Sequence, residues 1–243
     1  MTALQESALI HSKFDRYSSH YDFHAQIQHH AARALIERID IASPRRILEI
    51  GCGTGILSQM LMETFPTARI TFSDVSPNMI ELAAQKLGRD ERIDFQCLNA
   101  ETLSPPCSYD LIVANMVVHW FAELPQTLLK IQNALTAQGR FYYSTIGADC
   151  FCEWQNSLRQ LDLPIGLRLP EGLFGVKSEE HLPIPYPSAR VFLHSLKATG
   201  AQSPCQGYRP LPPRTLQKAM KMLDEGGPPT LTWHILYGCL DGS

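Results

Sequence analysis

The sequence predicts an α/β fold, a doubly wound and mostly parallel sheet with helices on both faces. Three observations carry this. Between residues 25 and 145 the apolar pattern alternates between helical spacing and short strand-like runs. A glycine-rich turn, Gly51-x-Gly53-x-Gly55, stands between the apolar run "RILEI" and a helical pattern. Polar residues, Asp74, Asn99 and Asn115, recur where successive strands end. That is the edge at which such sheets bind ligands.

The elements follow in order. "AQIQHHAARALIERI" spaces Ile27, Ala31, Ala34, Leu35 and Ile39 as one helical face. "RILEI" is a strand, and "ILSQMLMETF" a helix closed by Pro66. "RITFSD" is a second strand. "SPNMIELAAQKLG" is a helix with Ser76 at its N-cap, Pro77 in its first turn and Gly88 past its end. "IDFQC" and "YDLIVAN" are strands three and four, "LPQTLLKIQNAL" a helix, and "GRFYYST" strand five. "FCEWQNSLRQL" reads as a helix, followed by a Pro/Gly-rich connection. In "HLPIPYP" the prolines recur at period two, so their missing N–H donors share one side. That suits a strand paired on its other side alone, or an extended loop. "ARVFLHSLKATGA" is a helix ended by Gly200, and "TLTWHILYGCL" a final strand, suited to antiparallel pairing.

A chain of 243 residues with 44% hydrophobic content can bury a proper core. The expected organisation is a single domain, 1–243. It has N-terminal lid helices at 1–40, a ligand-binding core at 45–145, a substrate cap at 146–200, and a helix and last strand at 201–243. Net charge is −3, from 24 acidic and 21 basic residues, so nothing pulls the whole chain toward nucleic acid or an anionic membrane. Seven cysteines without a repeated CxxC pair suit reduced thiols, and no metal site is expected. The first residues lack an apolar leader, and no run approaches the roughly 18 apolar residues of a membrane span. The expectation is a cytoplasmic monomer.

The glycine turn faces two candidate ligands, a dinucleotide or S-adenosylmethionine (SAM). Backbone N–H groups and a helix N-terminus meet there, and missing β-carbons admit a ligand to the main chain. The dinucleotide pattern GxGxxG requires glycine at 56, where Ile56 stands. Asp74, 19 residues beyond Gly55 (74 − 55), suits a ribose diol, which both ligands possess. A bare GxGxG is often a tight turn alone. Here Glu49, Asp74, "NAE" (Asn99 to Glu101) and Asn115 surround it.

With these residues "EIGCGTG" resembles motif I of class I SAM-dependent methyltransferases, a Rossmann-like fold, and the resemblance covers about residues 14 to 145. It implies that Gly51 and Gly53 flank the methionyl part, with Asp74 on the ribose. Val75 and Met79 would line the adenine pocket, Ala100 and Glu101 would meet its edge, and Glu49, Gly55, Asn99 and Asn115 would complete the cofactor site. Many relatives carry aspartate where this chain has Asn99.

Two flanking regions narrow the resemblance. Phe14, Tyr17, Tyr21, His24 and Gln28 form one helical stripe at spacings of 3, 4, 3 and 4, a packing face or a lid. Arg16, His20-Tyr21, Ser195-Leu196-Lys197, Gly200-Ala201 and Leu231-Thr232-Trp233-His234 occur in the order seen in the malonyl-acyl-carrier-protein O-methyltransferase family of biotin synthesis. The resemblance implies SAM as cofactor and S-adenosylhomocysteine as its product. The acceptor would be the free carboxylate of malonyl on acyl carrier protein, giving the methyl ester that primes pimeloyl synthesis. It also implies that Tyr21 reaches the cofactor.

A carboxylate is ionised at neutral pH, so no general base is required. His20, Tyr21 and His119 are candidates for orienting it by hydrogen bonds. An acidic carrier would need a local basic surface. Arg209, Arg214, Lys218 and Lys221 supply one, the last three at i, i+4 and i+7 opposite Leu216, Met220 and Leu223. Two other readings stay open: methylation of another acid or small metabolite, and a methyltransferase-like assembly factor acting on a protein partner.

Overall fold

The computed structural model describes residues 26–103, 108–198 and 208–242. Seven strands form one sheet: β1 (Arg46–Ile50), β2 (Arg69–Asp74), β3 (Ile93–Cys97), β4 (Tyr109–Asn115), β5 (Leu135–Ile146), β6 (Val176–Pro185) and β7 (Thr230–Asp241). Their spatial order is β3-β2-β1-β4-β5-β7-β6. The first five are parallel, and β7 runs antiparallel to both β5 and β6. The helices are α1 (Gln26–Arg38), α2 (Ile56–Thr64), α3 (Pro77–Leu87), α4 (Leu124–Asn133), α5 (Cys152–Arg159), α6 (Ala189–Ala198) and α7 (Pro213–Leu223). The chain winds outward from β1 to β3, then returns to pair β4 on the other side of β1. That reversal opens a crevice between the C-terminal ends of β1 and β4.

Two cores explain why helices are needed on both faces. One joins Leu35 of α1, Leu61 of α2 and Ala83 of α3 to Ile47, Ile70 and Phe72 of the sheet, and continues through Trp154, Phe192 and Trp233. The other packs Leu124, Leu128 and Ile131 of α4 on Leu48, Ile112, Phe141 and Tyr143. Ile47 and Leu48, neighbours in β1, therefore belong to opposite cores, as the period of two requires. Both are fully buried.

The punctuation of α3 is as the sequence indicates. Ser76 Oγ accepts from the Met79 N–H at 3.2 Å, Pro77 opens the helix, and Gly88 closes it at φ 76°. Strand β5 begins earlier than its expected start at Gly139. Leu135 already pairs with Tyr109, and the register then jumps to Leu111 with Arg140. The apolar pair Ala134–Leu135 continues helical spacing, but its burial serves a bulged strand start. Gly139 belongs to the bulge, where a β-carbon would lie 2.8 Å from the Tyr109 carbonyl oxygen.

The proline-spaced segment is a strand, and it begins at Val176. It lies at the sheet edge and pairs with β7 alone, so Pro183 and Pro185 turn their missing donors away from the ladder. Residues 146–198 thus divide among the end of β5, α5, an irregular stretch, an edge strand of the main sheet and α6. Asn115 ties the sheet to α1: its Nδ2 donates to the Gln28 carbonyl at 3.0 Å, and its Oδ1 accepts from Ser144 Oγ at 2.7 Å. Among the described residues no helix is long and apolar enough to cross a membrane.

Candidate active site

The turn after β1 uses each of its three glycines differently. All hold positive φ: 70° at Gly51, 54° at Gly53 and 86° at Gly55. A β-carbon at Gly51 would lie 2.5 Å from Val117, so this glycine lets the turn close on the loop after β4. One at Gly55 would meet Leu87 at 3.3 Å, the packing of the turn on α3. At Gly53 no described residue stands within 4 Å, so among the described residues the turn is open there, beside the crevice.

Hydrogen bonds tie this turn to the end of β2. The Cys52 N–H donates to the Ser73 carbonyl at 2.8 Å, and Ser73 Oγ to the Glu49 carbonyl at 2.7 Å. The Gly53 N–H donates to Asp74 Oδ2 at 3.0 Å, while Asp74 Oδ1 accepts from the Ser76 N–H at 2.9 Å. Asp74 therefore holds the turn in shape. Glu49 lies beneath, buried, accepting from Ser58 Oγ at 2.6 Å. Burial pushes its carboxyl up to about 8, and the nearby Asp74 charge adds to this.

The other strand-end residues gather around the same edge, with distinct tasks. Met79 and Ala100 are buried apolar groups, and the Val75 carbonyl accepts from the Cys97 thiol at 3.5 Å. Asn99 caps a short 3₁₀ turn (Ala100–Thr102) through Oδ1, which accepts from the Glu101 N–H at 2.9 Å. Aspartate could accept identically, so the amide nitrogen is what distinguishes this chain. Glu101 turns toward the start of α4, its Oε1 accepting from the N–H groups of Ala122 at 2.5 Å and Glu123 at 3.3 Å. Asn115 bonds Gln28 and Ser144 as described.

His119 lies in a second 3₁₀ turn (Val118–Trp120) just past β4. It is buried, with Nδ1 3.0 Å from Thr145 Oγ1 and its ring 4.8 Å from that of Trp120. Burial lowers its pKa to about 3, and the Arg168 charge adds to this, so the ring is neutral at working pH. Arg168 donates from Nη2 to the Phe121 carbonyl at 3.1 Å. His20 and Tyr21 lie outside the described residues. Sequence reasoning missed Ser58, Thr145 and Arg168. Thr145 sits at a strand's C-terminal end and was open to the same logic as Asn115, whereas nothing local marks Ser58 or Arg168.

Two expectations follow. Glu49 binds its proton more tightly folded than unfolded, so between its ordinary value of 4.5 and about 8 the folded chain holds more protons. Stability then falls as pH rises through that window. Urea midpoints at pH 5 and pH 8 should show Glu49→Gln gaining on the parent as pH rises, by on the order of a few kcal/mol. In Gly53→Ala the left-handed backbone costs about 1–2 kcal/mol of stability. Because the β-carbon enters the open space, S-adenosylhomocysteine affinity should fall about tenfold or more by calorimetry. Unchanged affinity would place the ligand elsewhere.

A family model described as a methyltransferase domain matches residues 48–141, the turn and its surrounding strands. The malonyl-[acyl-carrier protein] O-methyltransferase of Magnetococcus marinus is 32% identical over 235 residues, covering 90% of this chain and 87% of that one. Its counterpart from Anoxybacillus flavithermus is 30% identical, covering 96% of each. Among solved structures, the YcgJ protein from Bacillus subtilis matches with a TM-score of 0.62 at 20% identity, covering 88% of this chain and 99% of that chain. A Haemonchus contortus phosphoethanolamine N-methyltransferase solved with S-adenosylhomocysteine matches with a TM-score of 0.55 at 13% identity, covering 94% and 58%. Those likenesses are of fold; the sequence relationship over nearly the whole chain is closer, and by it the protein belongs to the malonyl-[acyl-carrier protein] O-methyltransferase family.

Proposed function

We propose that the protein transfers the methyl group of SAM to the free carboxylate of a malonyl group held on acyl carrier protein. The observation that carries the donor is the open space above Gly53, bounded by Asp74 at the sheet's reversal point. Membership of the family supports the acceptor.

The residues fit the cofactor. Asp74 offers carboxylate oxygens to a ribose diol, Met79 and Ala100 give apolar walls for an adenine, and the charged Asp74 complements a cationic ligand above a neutral Glu49. When bound, SAM supplies an electrophilic methyl group on a positively charged sulphur. The chain must then hold the acceptor in line and exclude water. Such positioning brings reacting atoms to about 3–3.5 Å. The acceptor carboxylate needs no proton removed, and the neutral His119 ring suits that, since it can orient an oxygen without binding it as an ion pair. His20 and Tyr21 remain proposed partners in the same task, with Tyr21 also proposed on the cofactor.

The proposed carrier surface is α7. Arg214, Lys218 and Lys221 are exposed on one side of it, and Arg209 is exposed just ahead. None is ion-paired among the described residues. The opposite side buries Ala219 and Leu223 and packs Leu216 and Met220 on the core, so the cations face outward. A surface of this kind steers an acidic partner.

The direct test is incubation with labelled SAM and malonyl-acyl carrier protein, malonyl-CoA or free acids, read by mass; label on a free acid alone would move the acceptor. At saturating SAM, turnover should vary little between about pH 6 and 8, because the nucleophile is ionised and His119 neutral throughout. A steep one-proton rise would require a titrating group in the reaction. Reversing Lys218 and Lys221 to Glu should raise KM for malonyl-acyl carrier protein and flatten its salt dependence, with malonyl-CoA turnover unchanged. If both substrates suffer alike, the docking surface lies elsewhere.

A further inference from the structure

At the β6–β7 edge of the sheet stands a group of ligating side chains to which the proposed reaction assigns no task. His181 and His234 are direct cross-strand partners, so both leave the sheet on one face. Their rings stack at 4.2 Å, 15° from parallel. Asp149, in the loop after β5, reaches the same point. Its Oδ2 lies 3.5 Å from His181 Nε2 and 3.9 Å from His234 Nδ1. Gly147 allows this approach, since a β-carbon there would lie 2.3 Å from His234 Nδ1.

The tautomer of His234 follows from its neighbours. Its Nδ1 accepts the Asp149 N–H at 3.1 Å, so Nδ1 carries a lone pair and the ring proton is on Nε2. Nε2 in turn lies 3.1 Å from Glu179 Oε2, which receives that proton's hydrogen bond. A carboxylate holding the far N–H of an imidazole whose other nitrogen is unprotonated is the outer arrangement of metal-bound histidines.

We propose that Asp149, His181 and His234 form a binding site for a divalent transition-metal ion of the zinc class, with Glu179 as the outer carboxylate. Two imidazoles and one carboxylate suit zinc, whereas magnesium and calcium favour all-oxygen shells. The three ligand atoms lie within 4.8 Å of one another. In a tetrahedral shell with bonds of about 2.0–2.1 Å, ligand atoms stand roughly 3.3 Å apart. His181 must therefore turn out of its stack and Asp149 draw inward. Their side chains are 44% and 66% exposed, so both are able to move, and water satisfies the Asp149 N–H that the ion displaces. Water also completes the shell. The bound ion clamps the loop between β5 and α5 to the edge strand.

The test uses the full chain, freed of metal with a chelator and titrated with Zn²⁺ by calorimetry, then with Co²⁺ by absorption. The expected result is one saturable Zn²⁺ per chain, no response to Mg²⁺, and a Co²⁺ spectrum without thiolate charge transfer. His181→Ala and Asp149→Asn, both at exposed positions, should fold like the parent by circular dichroism and weaken Zn²⁺ by about tenfold or more. No saturable binding, or affinity unchanged in both variants, overturns the proposal. So does a thiolate band lost in Cys97→Ser, which would assign the ion to an exposed cysteine.

Discussion

The short tie between the ends of β1 and β2 is the constraint on which the site depends. A parallel sheet leaves its strand-end backbone groups in need of partners, and here each finds one close by. Cys52 and Gly53 donate to Ser73 and Asp74, and Ser73 returns a bond to Glu49. This lattice holds three left-handed glycines in place without proline or disulfide. Within it Gly51 and Gly55 are closed in by Val117 and Leu87, while no described residue stands over Gly53. The opening is shaped as much by packing from β4 and α3 as by the turn itself.

Burial sets the electrostatics of the site more than ion pairing does. Glu49 is raised and His119 lowered chiefly by loss of water, and both move toward their neutral forms. The strand ends thus carry a neutral carboxyl at Glu49 and a neutral imidazole at His119, while Asp74 accepts from two backbone N–H groups. Such a setting favours reactants that bring their own charges, a cationic donor and an anionic acceptor, whose attraction strengthens as water leaves.

The far half of the sheet serves other ends. β7 inserts antiparallel between β5 and β6, and its Thr232 is gripped by Glu153 of α5 through both N–H and hydroxyl, at 2.9 and 2.6 Å. The rings of Phe151, Phe192 and Trp233 pack edge to face beside this grip. They fasten the elements beyond β5 to the ligand-binding core and leave the basic side of α7 outermost. The same insertion brings His181 and His234 side by side.

Sequence alone determined the order and type of the elements through β5, because each half-buried helix or strand repeats its apolar residues with its own period. It also determined the glycine turn and the cap of α3, since positive φ and N-capping restrict residue choice locally. Asp74 was legible as a site candidate from its place at a strand end, whereas Met79 and Ala100 were candidates only through the family resemblance. Tertiary structure alone decided the rest. Only the folded chain shows that Glu101 Oε1 accepts from the N–H groups of Ala122 and Glu123. Ser58, Thr145 and Arg168 meet their partners across 9, 26 and 47 residues of chain. Leu135 belongs to a strand because Tyr109 pairs with it. In each case the deciding contact is non-local, and local periodicity carries no record of which buried polar group will meet which.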